Sequence, residues 1–322
     1  MAQGQLRVVA VVVAHDRREL LLEALTALAD QSRPLEAVVV VDNASTDGSA
    51  QAAAALGAER GLPLDVVRLE RNTGGAGGFA AGLARAVHDH DADLVWLMDD
   101  DTVPTPSALT ALLAARDAHP GPVTALASRV VWHDGREHPM NTPRERPGAG
   151  AAAREAAARA GGTAVRSASF VSMLVDAGAV RRHGLPVADY FIWNDDFEFS
   201  TRLLREGTGL HVPASVVVHK TRTFGSTDAD PGERFRFEVR NKVWLFTRAS
   251  GLAPWEKALY GASTVRRWAR TVARSSSRGV LLRCLARGLA EGARAPRPTP
   301  VVLAGLGPVS DAVAAVERGA GR

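Results

Sequence analysis

The sequence predicts an α/β protein built on a doubly wound, mostly parallel sheet, and three observations support this. Continuous β-branched runs at residues 7–14 and 37–42 are typical of strands that are buried on both faces. Leucines at helical spacing lie between them, at residues 19–29. An acid cluster, Asp99-Asp100-Asp101, follows a later apolar run. Open α/β sheets bind ligands at the carboxyl ends of their strands, so these acids also predict where a site lies.

The remaining elements continue the alternation of strands and helices. We predict further strands at residues 65–69, 94–98, 122–132 and 164–175, and a last strand that ends at His219. Further helices are predicted at residues 78–88 and 106–117, after Glu198 through Arg205, and from about residue 233 onward. This order is typical of βαβ units. Residues 133–163 are polar and rich in glycine, proline and alanine, which predicts a mobile surface loop.

The composition is that of an ordinary globular protein. Of 322 residues, 23% are charged and 46% hydrophobic, which is enough for one large domain or a domain with a helical extension. The single cysteine, Cys284, excludes a disulfide framework and a cysteine metal site and favours a reducing compartment. The apolar run at residues 8–14 is too short to span a bilayer and predicts a strand instead.

The acid triplet predicts a metal site. Three adjacent carboxylates repel one another, and Mg²⁺ or Mn²⁺ would relieve the repulsion because both ions prefer hard oxygen ligands. The alternative is a solvated acidic turn ahead of the helix that Pro104-Thr105-Pro106 starts. His219, at the end of an apolar strand, could bring an imidazole to such a metal, although most histidines at strand ends have no special role.

Polar residues also follow the first two strands. His15-Asp16-Arg17 and Asp42-Asn43-Ala44-Ser45 open onto the same edge as the triplet if the sheet is parallel. Asp42 could accept hydrogen bonds from a nucleobase or a ribose, because its carboxylate stays ionised at neutral pH. Alternatively, Asp42 or Ser45 caps the next helix, which is the expected role of Ser45.

A glycine-rich loop at residues 72–78 follows the third strand and precedes a helix. Glycines let backbone N–H groups approach an anionic group, and the helix N-terminus adds a partial positive charge. Gly75, Gly77 and Ala80 also satisfy the G-x-G-x-x-A dinucleotide pattern, so an NAD(P)-dependent oxidoreductase is an alternative. Two facts count against it: that pattern normally occupies the first βα turn, and a ribose contact needs one acid rather than three.

A second acid cluster, Asp195, Asp196 and Glu198, lies just ahead of a helical run. A helix dipole favours acids at its N-terminus, so one of these residues could be a cap. Two adjacent carboxylates beside Trp193 exceed what a cap needs, and one of them could be a general base that takes a proton from a hydroxyl.

The order of these motifs resembles that of the family 2 inverting glycosyltransferases of GT-A fold. The resemblance rests on DNASTD at residues 42–47, NTGGAGGF at 72–79, WLMDDD at 96–101, WNDDFEF at 193–199 and the strand-end His219. It covers about residues 7–250 and includes Arg240-Asn241, similar to an Arg-Asn pair that follows the core domain in this family. Ala14 stands where threonine is frequent. The chain looks most like bacterial galactofuranosyltransferases and rhamnosyltransferases that act on lipid-linked cell-envelope glycans.

The resemblance implies a role for each motif. Asp99 and Asp101 would hold Mn²⁺ or Mg²⁺ on the donor diphosphate, and His219 would complete the coordination. In the pair Asp195-Asp196, the second member matches the family's catalytic base. Trp193 would contact the acceptor. The residues that would bind a UDP- or dTDP-sugar donor are His15, Arg17, Asp42, Asn43, Asn72, Gly74, Gly75 and Asp100.

The C-terminal part carries its own charge pattern. Residues 240–297 contain thirteen Arg or Lys against two acids, a local charge of +11 in a chain of net charge +4. Arginines interleave with apolar residues between positions 255 and 289, which predicts helices that could lie on an anionic membrane surface. The alternatives are helices packed on the core, a homo-oligomer contact, or nucleic acid binding, which the sparse aromatic residues disfavour.

Together these observations predict a metal-dependent inverting glycosyltransferase that transfers galactofuranose or rhamnose to a lipid-linked glycan. We expect it in the cytoplasm, peripheral on the inner face of the plasma membrane. The predicted GT-A domain spans residues 1–235, with a donor half at about 1–132 and an acceptor half at about 164–220. A basic helical extension would span 236–322. The alternatives are the oxidoreductase and a catalytically silent carbohydrate-binding protein.

Overall fold

A ten-stranded mixed sheet forms the centre of the molecule. The computed structural model describes residues 6–224 and 230–320. The strands are β1 (Val8–Ala14), β2 (Ala37–Asp42), β3 (Leu64–Arg68), β4 (Leu94–Asp99), β5 (Thr102–Pro104), β6 (Ala125–Val131), β7 (Arg144–Glu145), β8 (Thr163–Ser167), β9 (Met173–Asp176) and β10 (Gly209–His219). Their order across the sheet is β3-β2-β1-β4-β9-β6-β10-β8-β7, and β5 pairs with β10.

Most of the strands are parallel, which confirms the predicted class of sheet. β1 pairs in parallel with β2 and β4, β2 with β3, and β6 with β10. Because β9 runs antiparallel between β4 and β6, those two strands also point the same way. The carboxyl ends of β1, β2, β4 and β10 therefore meet at one edge of the sheet.

Helices cover both faces of this sheet. They are α1 (Arg18–Ala29), α2 (Ser49–Arg60), α3 (Gly74–His88), α4 (Ala108–Ala118), α5 (Ala151–Arg159), α6 (Ala177–His183), α7 (Asp195–Leu203), α8 (Phe235–Thr247), α9 (Pro254–Arg274), α10 (Arg278–Gly292), α11 (Thr299–Val302) and α12 (Pro308–Gly319). Alternate residues of β1 face opposite helical layers of the sheet. Val9, Val11 and Val13 join the core that includes α3. Val8, Ala10 and Val12 join the core of α1 and α4.

Two sequence predictions between residues 133 and 175 were wrong. Part of the predicted mobile loop is helix α5, whose sequence AAAREAAAR has high intrinsic helix propensity and is bounded by glycines. The predicted strand at 164–175 is two strands, because β8 pairs with β10 whereas β9 lies between β4 and β6. One continuous strand cannot occupy both positions. Helix α2, which lacks a leucine pattern, was expected only as the helix after Ser45, and its N-cap is Gly48 rather than Asp42 or Ser45.

The C-terminal part of the described chain is helical, as predicted. α8 and α10 pack together around Phe235, Val239 and Leu281. α11 and α12 return to the sheet, where Leu303 and Val313 share a core with α3. Residues 299–319 therefore add to the core of the first half, and the domain boundary at residue 235 stays a prediction. Among the described helices, none combines the length and the apolar character that crossing a membrane requires.

Candidate active site

The side chains predicted to form a site gather at the carboxyl edge of the sheet. In the parallel register, Ala14 lies opposite Asp42 and Val13 lies opposite Asp99. The residues that follow these strands therefore leave the sheet side by side. β5 runs antiparallel to β10 and sets Thr102 opposite His219. This pairing brings the imidazole beside the acid triplet.

Asp99, Asp101 and His219 form one cluster of candidate metal ligands. Each offers a ligand atom, and these atoms lie within 4.8 Å of one another. Asp101 and His219 are buried, and Nε2 of the imidazole is 3.1 Å from Oδ1 of Asp101. Burial and the carboxylates of Asp101 and Asp100 raise the pKa of Asp99 well above its ordinary value. A divalent cation would relieve this repulsion.

Asn141 orients His219, and the sequence analysis missed it. Its Oδ1 accepts a hydrogen bond from Nδ1 of His219 at 2.9 Å, and its Nδ2 donates to Oγ of Ser169 at 3.1 Å. In the neutral ring, Nε2 then presents a lone pair to Oδ1 of Asp101, a buried oxygen that accepts no hydrogen bond from the described residues. A divalent cation bound by both atoms would satisfy this 3.1 Å contact, as would a proton that Nε2 donates to Asp101. A single asparagine in a polar segment carries no sequence signal for this role.

Arg17 supplies part of the counter-charge for the triplet. Its Nη1 lies 2.6 Å from Oδ2 of Asp101 and 3.3 Å from Oδ1 of Asp100. Burial opposes the charge of Arg17, but the carboxylates of Asp100, Asp101 and Asp99 outweigh burial and raise the pKa of Arg17. Burial also raises the pKa of Asp100 to about 6. One guanidinium cannot balance three carboxylates, so the residues present fit a divalent cation.

Replacing Asn141 with alanine should weaken Mn²⁺ binding about 10- to 100-fold, the usual cost of removing the partner of a ligating histidine. His219 would lose the contact that directs Nε2 toward Asp101. Calorimetric titration of Mn²⁺ in the presence of UDP measures this affinity. Ser169→Ala is the control, because it removes only the partner of the Asn141 amide and should cost less. An unchanged affinity in Asn141→Ala would show that His219 needs no such support.

Asp42 organises the turn that follows β2. Its side chain is buried, and Oδ1 accepts a hydrogen bond from the N–H of Ser45 at 2.9 Å. Its Oδ2 lies 3.7 Å from Nε of Arg68, a strand-end residue that sequence reasoning did not single out. An open cleft of about 490 Å³ lies beside this turn and is lined by Ser45 and Arg68, among others. A donor contact of Asp42 stays a prediction.

The glycine loop is tied to the ends of β1 and β2. Asn43 donates from Nδ2 to the carbonyl of Gly74 at 2.9 Å and accepts from the N–H of Thr73 at 2.8 Å. Asn72 accepts from the N–H of Gly74 at 2.8 Å, and its Nδ2 lies 3.0 Å from Nε2 of His15. These contacts connect four of the predicted donor-binding residues: His15, Asn43, Asn72 and Gly74.

The glycines of this loop allow close packing against neighbouring elements and leave room for a ligand to approach. Gly74 has a φ of +72°, and a Cβ there would collide with the carbonyl of Phe191. A Cβ on Gly78 would strike Val13, so the absence of a side chain lets α3 approach β1 closely. Space around Gly75 is open, which makes its backbone the place where a ligand could approach. The loop also follows β3 rather than β1, which further disfavours the dinucleotide interpretation.

A strained loop at residues 189–194 leads into the second acid cluster. Three of its residues have positive φ although none is glycine: Phe191, Trp193 and Asn194. Such conformations persist only where the surroundings hold them. Asn241 on α8 does so here, because its Nδ2 lies 2.9 Å from each of three carbonyl oxygens, those of Tyr190, Ile192 and Trp193.

Arg240 supports the same loop as Asn241. Its Nη2 donates to the carbonyls of Asp189 and Tyr190 at 2.7 and 3.0 Å, and its Nε donates to Oδ1 of Asn241 at 3.0 Å. Arg297 in turn binds the carboxylate of Asp189 at 2.7 Å. The Arg-Asn pair was noted from the resemblance alone. The structure shows that this pair supports the loop ahead of Asp195. The C-terminal part of the chain therefore contributes to the candidate site.

Asp195 and Asp196 begin α7 at the end of this loop. Burial and the carboxylate of Asp196 raise the pKa of Asp195 to about 8. Asp196 is half-buried, and its Oδ1 accepts from the N–H of Phe197 at 2.7 Å. Burial raises the pKa of Asp196 as well, while Lys242 and Arg144 oppose the rise. Asp195 therefore holds its proton more strongly than an ordinary aspartate does, whereas Lys242 and Arg144 favour the ionised form of Asp196.

Comparisons with known proteins identify the family of this chain. Residues 9–177 match glycosyl transferase family 2. The galactofuranosyltransferase GlfT1 of Mycobacterium tuberculosis is 30% identical over 262 residues, which are 75% of this chain and 82% of that protein. GlfT1 of Mycolicibacterium smegmatis is 40% identical over 113 residues, 35% of this chain and 36% of that protein. A mannosyltransferase from Pyrobaculum calidifontis, solved in complex with GDP-Man and Mn²⁺, shares the fold with a TM-score of 0.54 at 20% identity; the match covers 99% of this chain and 77% of that one.

The fold is the GT-A fold of glycosyltransferases, with a helical C-terminal region. The chain belongs to glycosyl transferase family 2. Within that family it is similar to the two mycobacterial galactofuranosyltransferases.

Proposed function

We propose that this protein is a metal-dependent, inverting glycosyltransferase that transfers galactofuranose from a UDP-linked donor to a glycan hydroxyl. The cluster of Asp99, Asp101 and His219 carries the proposal, together with Asp195, whose carboxylate is close enough to help raise the pKa of Asp99. Galactofuranose is preferred over rhamnose from a dTDP donor because of the similarity to the galactofuranosyltransferases.

On the donor side, the chain offers ligands and a backbone site for a diphosphate. Asp99, Asp101 and His219 would hold Mn²⁺ or Mg²⁺, which when bound neutralises charge on the leaving diphosphate. The backbone at Gly75, in the first turn of α3, supplies N–H groups at a helix N-terminus. The cleft beside the turn that follows Asp42 would take the nucleoside.

On the acceptor side, Asp196 would act as the general base. Its carboxylate takes the proton of the acceptor hydroxyl while that oxygen attacks the anomeric carbon. The new glycosidic bond forms as the bond from the anomeric carbon to the diphosphate oxygen breaks, and the diphosphate leaves with that electron pair. Attack from the face opposite the leaving group inverts the anomeric centre. Trp193 offers an aromatic face to the acceptor sugar.

A donor screen tests this proposal. UDP-galactofuranose, other UDP-sugars and dTDP-rhamnose are incubated with Mn²⁺ and glycan acceptors with and without a lipid. We expect transfer from UDP-galactofuranose, its loss in EDTA, and a product with inverted anomeric configuration by NMR. Turnover of NAD(P)(H) without transfer would support the oxidoreductase alternative, which membership of family 2 disfavours. Donor binding without any transfer would indicate a silent carbohydrate-binding protein.

We also propose that α9 holds the enzyme on the cytoplasmic face of an anionic membrane, where a lipid-linked acceptor would reside. Of its 21 residues, only Glu256 and Thr264 are buried. Trp255, Leu259 and Val265 are 55%, 58% and 62% exposed. Exposed arginines stand at positions 266, 270 and 274. A helix that shows both apolar side chains and cations to solvent suits a membrane interface.

Reversing Arg266, Arg270 and Arg274 to glutamate should release the enzyme from anionic vesicles. Each arginine near such a surface contributes about 1 kcal/mol, so binding should fall by about two orders of magnitude or more. Arg267 is left unchanged because it pairs with Glu238, which accepts a hydrogen bond from Asn194 in the strained loop. Vesicle sedimentation at low and high salt measures the effect, which salt should weaken.

The matched control reverses three exposed arginines outside the C-terminal part, Arg154, Arg159 and Arg182. It should leave vesicle binding near that of the wild type. In the α9 variant, transfer to a short water-soluble acceptor should be largely retained. Vesicle binding that persists, together with equal loss of activity on soluble and membrane-borne acceptors, would show that the arginines are structural.

A further inference from the structure

Two cations beside Asp196 lie over aromatic rings but have no hydrogen-bond or ion-pair partner among the described residues. Lys242 on α8 is only 7% exposed, and its ammonium makes no hydrogen bond or ion pair within residues 6–224 and 230–320. Arg144 on β7 is exposed, and its guanidinium is equally unpaired in the same ranges. The two cations lie 5.0 and 5.1 Å from the ring centroid of Phe197, the residue after Asp196. Buried lysines are rare unless they are paired, because an unpaired buried charge is costly.

Nearby acids leave this positive charge only partly balanced. Burial lowers the pKa of Lys242 to about 8, so the ammonium is still mostly protonated at neutral pH. Asp196, when it is ionised, offsets one of the two cations. Glu238 does not offset the other, because its carboxylate already binds Arg267 and Asn194. One positive charge therefore remains beside the candidate base.

We propose that Lys242 and Arg144 form a subsite for an oxyanion, a phosphate or a carboxylate, carried by the acceptor close to the hydroxyl that reacts. The inference rests on the proposed function and names the chemistry of the acceptor. The ammonium and the guanidinium lie near the same aromatic ring, close enough for Arg144 to lower the pKa of Lys242, and both could donate to such a group. The guanidinium also lies 5.2 Å from the ring of Tyr260, which packs edge-on against Phe197. Tyr260 belongs to α9, so the subsite adjoins the helix proposed to meet the membrane.

Kinetics with matched acceptors test the subsite. A neutral glycoside is compared with the same glycoside that carries a phosphate or a carboxylate. The wild type should show a higher kcat/KM for a charged acceptor, and which charged form is favoured distinguishes phosphate from carboxylate. Arg144→Met and Lys242→Met should each lower the ratio of charged to neutral kcat/KM about tenfold or more, the effect of losing a charged hydrogen bond. Lys257→Met is the control and should keep the wild-type ratio, because that ammonium donates to the carbonyl of Ala249 instead.

Sulfate provides a second measurement that needs no turnover. At matched ionic strength, sulfate should raise the Tm of the wild type above its value in chloride by more than it does in the double variant Lys242→Met/Arg144→Met. Sulfate should also compete with the charged acceptor in the wild type, but not with the neutral acceptor, which leaves the subsite empty. Arg144 is exposed, so its single variant stays informative if Lys242→Met folds poorly.

Equal acceptor ratios in wild type and variants, or equal responses to sulfate, would overturn the subsite. A variant that loses activity equally on charged and neutral acceptors would also overturn it, because the cations would then serve only the base or the fold. A wild type that responds to sulfate as expected but transfers no sugar would support the subsite and contradict the proposed function, so the two failures are distinguishable.

Discussion

Replacing Asp101 with alanine is expected to abolish glycosyl transfer and metal-dependent nucleotide binding. The variant loses a buried candidate metal ligand, the partner of Nε2 of His219 and a carboxylate that anchors Arg17 at 2.6 Å. Charge stabilisation by a metal contributes several kcal/mol, so turnover should fall by about three orders of magnitude or more. Calorimetry with UDP and Mn²⁺ and a radiolabelled transfer assay measure the two effects separately.

The control is Asp117→Ala, which removes an exposed carboxylate from α4 at a surface outside the triplet. It should retain both nucleotide binding and transfer. Circular dichroism of Asp101→Ala checks that the fold persists. Full transfer by Asp101→Ala, or by wild-type enzyme stripped of metal and assayed in EDTA, would show that the triplet has a role other than metal binding.

Replacing Asp196 with asparagine should leave donor binding intact while turnover falls about 10²- to 10⁴-fold, the usual contribution of general-base catalysis. Asparagine keeps the shape of the side chain and still accepts the hydrogen bond from the N–H of Phe197, but it cannot take a proton from the acceptor. The dissociation constant for UDP with Mn²⁺ and the single-turnover rate distinguish binding from chemistry.

Asp195→Asn is the matched variant for this test. Because burial and Asp196 hold the pKa of Asp195 near 8, this residue is mostly protonated at neutral pH, and its loss should cost less turnover. A larger loss in Asp195→Asn, with donor binding unchanged, would assign the base to Asp195 instead.

The pH dependence of turnover has a definite sign. Burial raises the pKa of Asp196 above its ordinary value, and the base must be ionised to accept a proton. The kcat of the wild type should therefore decline as the pH falls through this raised pKa, in a pH range where circular dichroism still shows a folded protein. Asp196→Asn should lack this acid limb in its residual activity.

The amino-acid sequence by itself determined the class of sheet and the edge at which the site lies. Valine runs such as β1 predict strands buried on both faces, and the acids of Asp99–Asp101 come directly after a strand. Both signals are local, because strand periodicity and strand ends are properties of a few consecutive residues. Motif order then pointed to the family that the comparisons confirm.

Only the tertiary structure decided how those residues are supported. Asn141 reaches His219 from a segment predicted as a loop, and Asn241 holds three carbonyls of the strained loop at residues 189–194. α12 returns to pack on α3, and Lys242 becomes a buried, unpaired cation beside Asp196 within the described chain. Each of these contacts joins residues far apart in sequence through a single side chain or a packed face. Such contacts leave no periodic pattern in the chain, because their positions are determined only when the sheet and the helices pack together.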